Sequence, residues 1–299
     1  MHLIVLGSAA GGGSPQWNCL TPTSQLAWQN VADVGRRTQT SLAVSVNDKD
    51  WILINASPDL RQQILATPSL WPRQPPRHTP IQAVVLTSAE IDHMVGLLSL
   101  RESQPFSLYA TQSTMDVLSD NTVFHALNPT KVTRSLLTLD RPHAIAGLEI
   151  TAFRVPGKVP LYLETEDIQH DFCNNEQTLG LSINDGTHRC CFISGCARIT
   201  PAVYRHLQAV DVVFFDGTLW RDDELIALGV SHKTGQRMGH LSIDGPDGTL
   251  AALANLTVKH KFFIHVNTTN PVLNAASAER AKIRGYGWEV AHDGLEIII

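Results

Sequence analysis

The chain has 299 residues, 43% of them apolar and 17% charged, a globular balance that excludes a disordered or low-complexity protein. Its formal charge of -5 offers no basic field to a polyanion, which argues against a nucleic-acid partner. No apolar run approaches the ~20 residues that span a bilayer, so no membrane span is expected.

The opening run Met1-His2-Leu3-Ile4-Val5-Leu6-Gly7 has neither the basic region nor the long apolar stretch of a secretion signal. The five cysteines, Cys19, Cys173, Cys190, Cys191 and Cys196, are odd in number and irregularly spaced. Both features point to reduced thiols and a cytoplasmic location.

Residues 3–6 read as a strand that ends in the glycine-rich turn 7–13. That turn matches neither G-x-G-x-x-G nor G-x-x-x-x-G-K-[ST], so it reads as a loop whose backbone passes close to another group. Residues 15–24 form a polar loop with one thiol, Cys19, and a single thiolate cannot hold a zinc ion. Residues 40–46 and 51–55 form a hairpin around Asn47-Asp48-Lys49-Asp50. A helix then opens with Ser57 as N-cap, Pro58 at its first position and Asp59 near its positive end. Residues 67–80 carry five prolines and form a loop.

The apolar run 81–86 is a buried strand, and 94–100 the first turns of a helix. Between them lies Thr87-Ser88-Ala89-Glu90-Ile91-Asp92-His93. A strand at 106–110 and a helix at 113–119 follow, then a less regular middle. Residues 147–155 form a strand and 155–170 a loop. A second hairpin, 178–184 with 189–194, turns at Asp185-Gly186. Residues 200–207 are helical. The apolar strand 211–215 leads into Asp216-Gly217-Thr218, an acidic helix at 222–227 and a polar loop, 229–239, ending at His240. A helix at 249–255, a strand at 261–265, a helix at 277–285 and closing strands complete a two-sheet α/β layer fold. No linker splits it, so 1–299 reads as a single domain.

Apolar strands thus end repeatedly in residues that bind metals: Glu90, Asp92 and His93 after one, Asp216 after the next, His265 after the last, with His240 in the loop between. Singly, each has a plainer explanation: Asp92 as a helix cap, His93 as a core histidine, Asp216 as a turn residue, His265 as a strand residue with a buried partner. Jointly, carboxylates and imidazoles at strand ends on distant segments are what a metal site at one sheet edge requires. Two histidines and one carboxylate suit non-heme Fe(II) and oxygen chemistry, whereas zinc or manganese in the same ligands suits hydrolysis.

Residues 88–93 resemble the metallo-β-lactamase motif H-x-H-x-D-H, with Ser88 and Glu90 in place of the two leading histidines. Asp216-Gly217-Thr218, Gly239-His240-Leu241-Ser242 and His265 resemble the later metal motifs of that superfamily. Its middle histidine, due near Val155-Pro156-Gly157-Lys158, is missing. Over its whole length the chain resembles, more narrowly, the coenzyme PQQ synthesis protein B family. The matching strings are residues 7–13, Pro15-Gln16-Trp17-Asn18-Cys19, Asn55-Ala56-Ser57-Pro58-Asp59, Ile91-Asp92-His93, Asp216-Gly217-Thr218-Leu219-Trp220, Met238-Gly239-His240 and His265-Val266-Asn267-Thr268-Thr269-Asn270-Pro271.

The resemblance implies a four-layer αββα metallo-β-lactamase-like sandwich. It also implies a role in making pyrroloquinoline quinone (PQQ), as an iron-dependent hydroxylase of the tyrosine ring in a Glu-Tyr peptide, with dioxygen as co-substrate. On this reading Asp92, His93 and His265 hold Fe(II), His240, Asp216 and Glu90 orient imidazoles or move protons, and Asn267 and Asn270 shape the substrate pocket. A homodimer and contacts with other PQQ biosynthesis proteins are compatible with it. The alternatives are a metallo-hydrolase of the superfamily, a soluble carrier of PQQ or its precursor towards the periplasm, and a scaffold without catalysis. The family's C-x-C-x-x-C cluster is reduced here to Cys19, with Thr21 and Ser24 in the other places, which argues against a structural zinc at Cys19.

Overall fold

The computed structural model describes residues 1–164 and 176–299; Cys173 and the end of the loop expected over 155–170 lie outside the described residues. Six strands build most of a first sheet: β1 (His2–Gly7), β2 (Ser41–Ser45), β3 (Trp51–Ile54), β4 (Ile81–Val85), β5 (Phe106–Ala110) and β6 (Val132–Leu136). The next seven form a second sheet: β7 (Pro142–Ile145), β8 (Leu148–Arg154), β9 (Leu179–Asn184), β10 (Arg189–Phe192), β11 (Val212–Asp216), β12 (His260–Ile264) and β13 (Glu289–Val290). The last strand, β14 (Glu296–Ile298), returns to the first sheet beside β1. The sheet orders are β14-β1-β2-β3-β4-β5-β6 and β13-β12-β11-β10-β9-β8-β7.

Each sheet is half antiparallel and half parallel. Strands β3 to β6 run parallel to one another, as do β10 to β13. Ile52, Ile54, Ala83, Val85, Val212 and Phe214 point between the sheets into a shared core. Their alternate neighbours Trp51, Leu53, Val84, Val213 and Phe215 point outward, under the helices. This is the period of two that a strand imposes, and these strands are apolar throughout because both faces are covered. Leu60, Met115 and Leu118 cover the first sheet from helices Leu60–Ala66 and Gln112–Asp120. Val203, Leu207 and Ile283 cover the second from helices Pro201–Leu207 and Ala278–Gly285. The layers are therefore helix, sheet, sheet, helix, the expected αββα order.

Several elements differ from the sequence reading. The helix expected at Ser57 begins at Leu60. Ser57 Oγ donates instead to Gln63 Oε1 (3.0 Å), and Asp59 Oδ2 accepts from Gln39 N and Nε2 (2.9 and 3.0 Å), so neither side chain caps the helix. Of the helix expected over 94–100 only Met94 is α-helical: one α turn, Ile91–Met94, passes into the 3-10 segment Val95–Leu100. The ladder breaks there because Gly96 N–H donates to Ala56 O (2.9 Å) on another segment. The helix expected over 249–255 is only Thr249–Ala252. The polar loop 15–24 already contains the start of a helix, Pro22–Trp28. The irregular middle holds β6 and β7, edge strands whose half-exposed residues carry little apolar alternation.

The sheets are joined at one edge. Ala10 N–H donates to Val266 O and Val266 N–H to Ser8 O (both 3.0 Å), linking the chain after β1 to the chain after β12. Leu179 N–H donates to Thr87 O (2.9 Å), linking the end of β4 to β9. The carboxyl ends of β4, β11 and β12 meet at this edge, the end of parallel strands at which α/β sheets gather their ligand sites. Among the described residues, no helix is long and apolar enough to cross a membrane.

Candidate metal centre

The chain leaves β4 at Thr87, whose N–H and hydroxyl both donate to Asn55 Oδ1 (2.9 and 3.0 Å). That clamp aims the turn Ile91–Met94, which carries Asp92 and His93. Asp92 does not act as a cap: the residue before the turn is Glu90, and no side chain caps it. From the other sheet, His265 follows β12 with φ +59°, a left-handed backbone that a residue with a Cβ adopts at a cost. These two strand ends bring Asp92 Oδ2 to 3.0 Å from His265 Nε2 and 3.9 Å from His93 Nε2. Asp92, His93 and His265 each offer a ligand atom within 4.8 Å of the others, and Asp216, His240 and His265 form a second such group. Asp216 is the last residue of β11, not the first of a turn, and His265 lies just past its strand.

The three side chains set one another's ionisation. Burial would raise the Asp92 carboxyl, but His93 and the hydrogen bond and charge of His265 hold it far below the carboxylate range. Burial pushes His93 below its ordinary value, against the charges of Asp92 and Glu90. Burial also opposes the protonated form of His265, yet the hydrogen bond and charge of Asp92, with Asp216 and Glu90, raise it. His93 Nδ1 lies 2.6 Å from Ser88 Oγ, whereas His93 Nε2 is buried without a hydrogen-bond partner among the described residues. A buried imidazole nitrogen left bare is costly, and a metal ion bound to its lone pair removes that cost. Two imidazoles and a carboxylate of this kind fit Fe(II), Zn(II) or Mn(II).

Thr218 organises the second group. Its Oγ1 lies 2.7 Å from Asp216 Oδ1, 3.0 Å from His240 Nδ1 and 2.9 Å from His265 Nδ1. Asp216 Oδ2 accepts from Cys196 N–H and sits 2.9 Å from His240 Nδ1. A hydrogen on each Nδ1 turned towards these oxygens leaves both Nε2 lone pairs for a ligand.

A cavity of about 280 Å³ opens on Asp92, His93, His240 and His265, with Glu90, Lys158 and Asn267 in its walls. Glu90 joins neither metal group; its carboxylate accepts from Lys158 Nζ (2.7 Å). Asn267 also lines a neighbouring groove beside Cys19, and its Oδ1 accepts from Thr269 N–H and hydroxyl. Asn270, expected in the pocket wall, is fully buried away from the cavity. Its amide donates to Gly217 O (3.0 Å) and its Oδ1 accepts from Val272 N–H (3.1 Å), so it braces the end of β11. The glycine-rich turn finds its neighbour here: a Cβ on Gly11 would lie 3.6 Å from the Asp92 carboxyl.

At the loop of Cys19, the thiol and the hydroxyls of Thr21 and Ser24 lie within 3.0–3.2 Å of one another, and Ser24 Oγ reaches Thr268 Oγ1 at 2.7 Å. Hydrogen bonds thus hold these three positions together. Thr218 and Ser88 were quoted in the sequence motifs without a role, and the cavity-wall residues Lys158, Glu164 and Lys233 carried no signal of spacing at all. Lys158 closes the stretch where the superfamily's middle histidine was due.

Residues 50–266 match the family described as Beta-lactamase superfamily domain. The chain is similar to Coenzyme PQQ synthesis protein B of Xanthomonas oryzae pv. oryzae, at 59% identity over 299 residues and 100% of both chains. The protein of that name from Methylobacterium sp. is 49% identical over 302 residues, again with 100% of both chains covered. Zinc-bound PqqB from Methylobacterium extorquens superposes with a TM-score of 0.97 at 46% identity, covering 100% of each chain. A diphosphatase of the PhnP family shares the fold, with a TM-score of 0.69 at 20% identity over 100% of this chain and 97% of that one.

Proposed function

The chain belongs to the coenzyme PQQ synthesis protein B family of the β-lactamase superfamily, and from that premise we propose that it serves PQQ biosynthesis as a metal-dependent enzyme, a non-heme iron hydroxylase of the tyrosine ring in a Glu-Tyr precursor. The observation that carries this reading is the Asp92–His93–His265 group with its bare, buried His93 Nε2. Iron(II) held by these three residues would supply the activation of dioxygen, with coordination positions left open for it.

The chain's own residues do the rest. Ser88 fixes the ring of His93, and Thr218 fixes those of His240 and His265. His240, backed by Asp216 at 2.9 Å, faces the cavity as the group that takes up the phenol proton. Glu90 and Lys158 close one wall by their ion pair, and Asn267 forms part of another. Two histidines and a carboxylate also accept zinc, and a relative is known in a zinc-bound form. In this reading residues 1–299 act as one domain, and the four described cysteines, all free thiols, accord with a cytoplasmic protein.

A second reading, a metallo-hydrolase, draws on the second ligand group, Asp216–His240–His265, which offers a place for a second ion. It is the weaker one, because Ser88 and Glu90 stand where the superfamily's hydrolases carry histidine.

The test is anaerobic reconstitution with Fe(II), addition of Glu-Tyr, admission of oxygen with a reductant, and mass spectrometry for added oxygen atoms. Product is expected from the wild type and none from His93→Ala or His265→Ala with the fold intact by circular dichroism. Absence of product from wild-type protein with iron confirmed at the site would overturn the hydroxylase reading.

A further inference from the structure

Three cations converge on one carboxylate at the rim of the metal cavity. Glu164 Oε2 lies 2.8 Å from Lys233 Nζ and 3.6 Å from Arg237 Nη2, and its Oε1 lies 3.4 Å from Lys158 Nζ. Lys158, Glu164 and Lys233 line the same cavity as Asp92, His93 and His265. Lys158 Nζ also pairs with Glu90, at 2.7 Å, and donates to Val159 O (3.1 Å), so these five side chains hold three positive and two negative charges. Arg237 Nη1 adds a buried donor without a hydrogen-bond partner among the described residues. The cations overcome the burial of Glu164 and hold its carboxyl below its ordinary range.

Glu164 is held by these cations and not by the packing of its own segment. It follows the single turn Leu161–Leu163, whose side chains are 61%, 41% and 37% exposed, so apolar burial does not fix that turn. Polar contacts do: the Tyr162 hydroxyl donates to Ala89 O (2.7 Å), and Leu161 N–H reaches Glu90 Oε2 (3.4 Å). Exchanging one carboxylate for another between the same cations conserves the charge-assisted hydrogen bond from Lys233 Nζ and the ion pairs with Lys158 and Arg237.

We propose that Lys158 and Lys233 form a carboxylate-binding subsite beside the metal-binding residues, filled by Glu164 in the free protein and by a carboxylate of the substrate when it binds. The subsite selects acidic peptides and orients them by the end remote from the reacting ring. For the identity of its ligand the proposal rests on the peptide-hydroxylase reading.

Calorimetric titration of the iron-loaded protein without oxygen, using Glu-Tyr and Gln-Tyr-amide, in which both carboxylates are replaced by carboxamides, tests it. The wild type is expected to bind the acid roughly tenfold or more tighter than the amide. Lys233→Met and Lys158→Met should abolish that preference, Lys233→Arg should keep it, and Glu164→Gln should tighten binding of the acid but not of the amide. Lys233 is 38% exposed, so its replacement spares the fold. Equal binding of acid and amide by the wild type, an unchanged preference in both methionine variants, or no binding of either peptide overturns the subsite. If the preference behaves as expected while Glu-Tyr is never oxygenated, the subsite stands and the hydroxylase reading falls.

Discussion

The three residues proposed to hold the metal were legible as polar residues that interrupt apolar runs, because such runs end where a strand leaves its sheet. Thr218 was not, since a threonine after Asp-Gly is an ordinary turn residue until two imidazoles from other segments are placed within 3.0 Å of it. Lys158 and Lys233 escaped for the same reason: a surface lysine and a cavity lysine look alike in a sequence. Asn270 erred in the other direction, a polar residue in a family-like motif that proves to be a buried brace. In the metal-free protein Asp92 raises the affinity of His265 for its proton, and a metal must displace that proton from Nε2. Metal affinity should therefore fall by about tenfold per pH unit below the raised His265 value and level off above it. Titrations with Zn(II) at several pH values, with proton release recorded in two buffers, check this; a flat profile through the imidazole range would count against His265 as a ligand.

At the scale of elements, strands that are apolar on both faces were read correctly, whereas the helix after His93 and the edge strands β6 and β7 were not. Local propensity weakly specifies a four-residue helix such as Ile91–Met94, whose geometry comes from what its backbone touches. Gly96 shows this directly. A Cβ there would lie 1.9 Å from Ser57 O and 2.7 Å from Ala56 O, so the segment after His93 must lie backbone to backbone against the end of β3. Gly96→Ala should cost about 1–3 kcal/mol or more of stability, by the cost of forcing a methyl into a packed interior. It should also weaken metal binding, because the displaced segment continues directly from the turn that carries Asp92 and His93. Denaturant unfolding and a metal titration of the same variant measure both effects. Gly35→Ala, where an added Cβ meets nothing within 4 Å, serves as the control.

Across the whole molecule, the layered order was legible from the succession of hairpins and strand–helix pairs, and the pairing of β14 with β1 was not, since it joins the two ends of the sequence. The shared core between the sheets draws on β1 to β4 and on β8 to β11 alike, so neither sheet can bury its inner face alone. A single unfolding transition is expected, and a metal bound across the seam should raise its midpoint. At about a thousandfold excess over Kd the linkage amounts to about 4 kcal/mol, or roughly 5–10 °C for a chain of this size. Differential scanning calorimetry with and without chelator measures the shift; two separate transitions would contradict one cooperative unit.

Asp92 and His93 lie in the first third of the chain, and His265 lies 172 residues beyond His93. With these three residues as the proposed ligands, a growing polypeptide on the ribosome would expose two of them long before the third exists, and two ligands hold an ion only weakly. The metal would be committed after synthesis, when β12 has docked and closed the gap between the sheets. Its identity would then be set by the ions available to the finished protein, not by those met during translation.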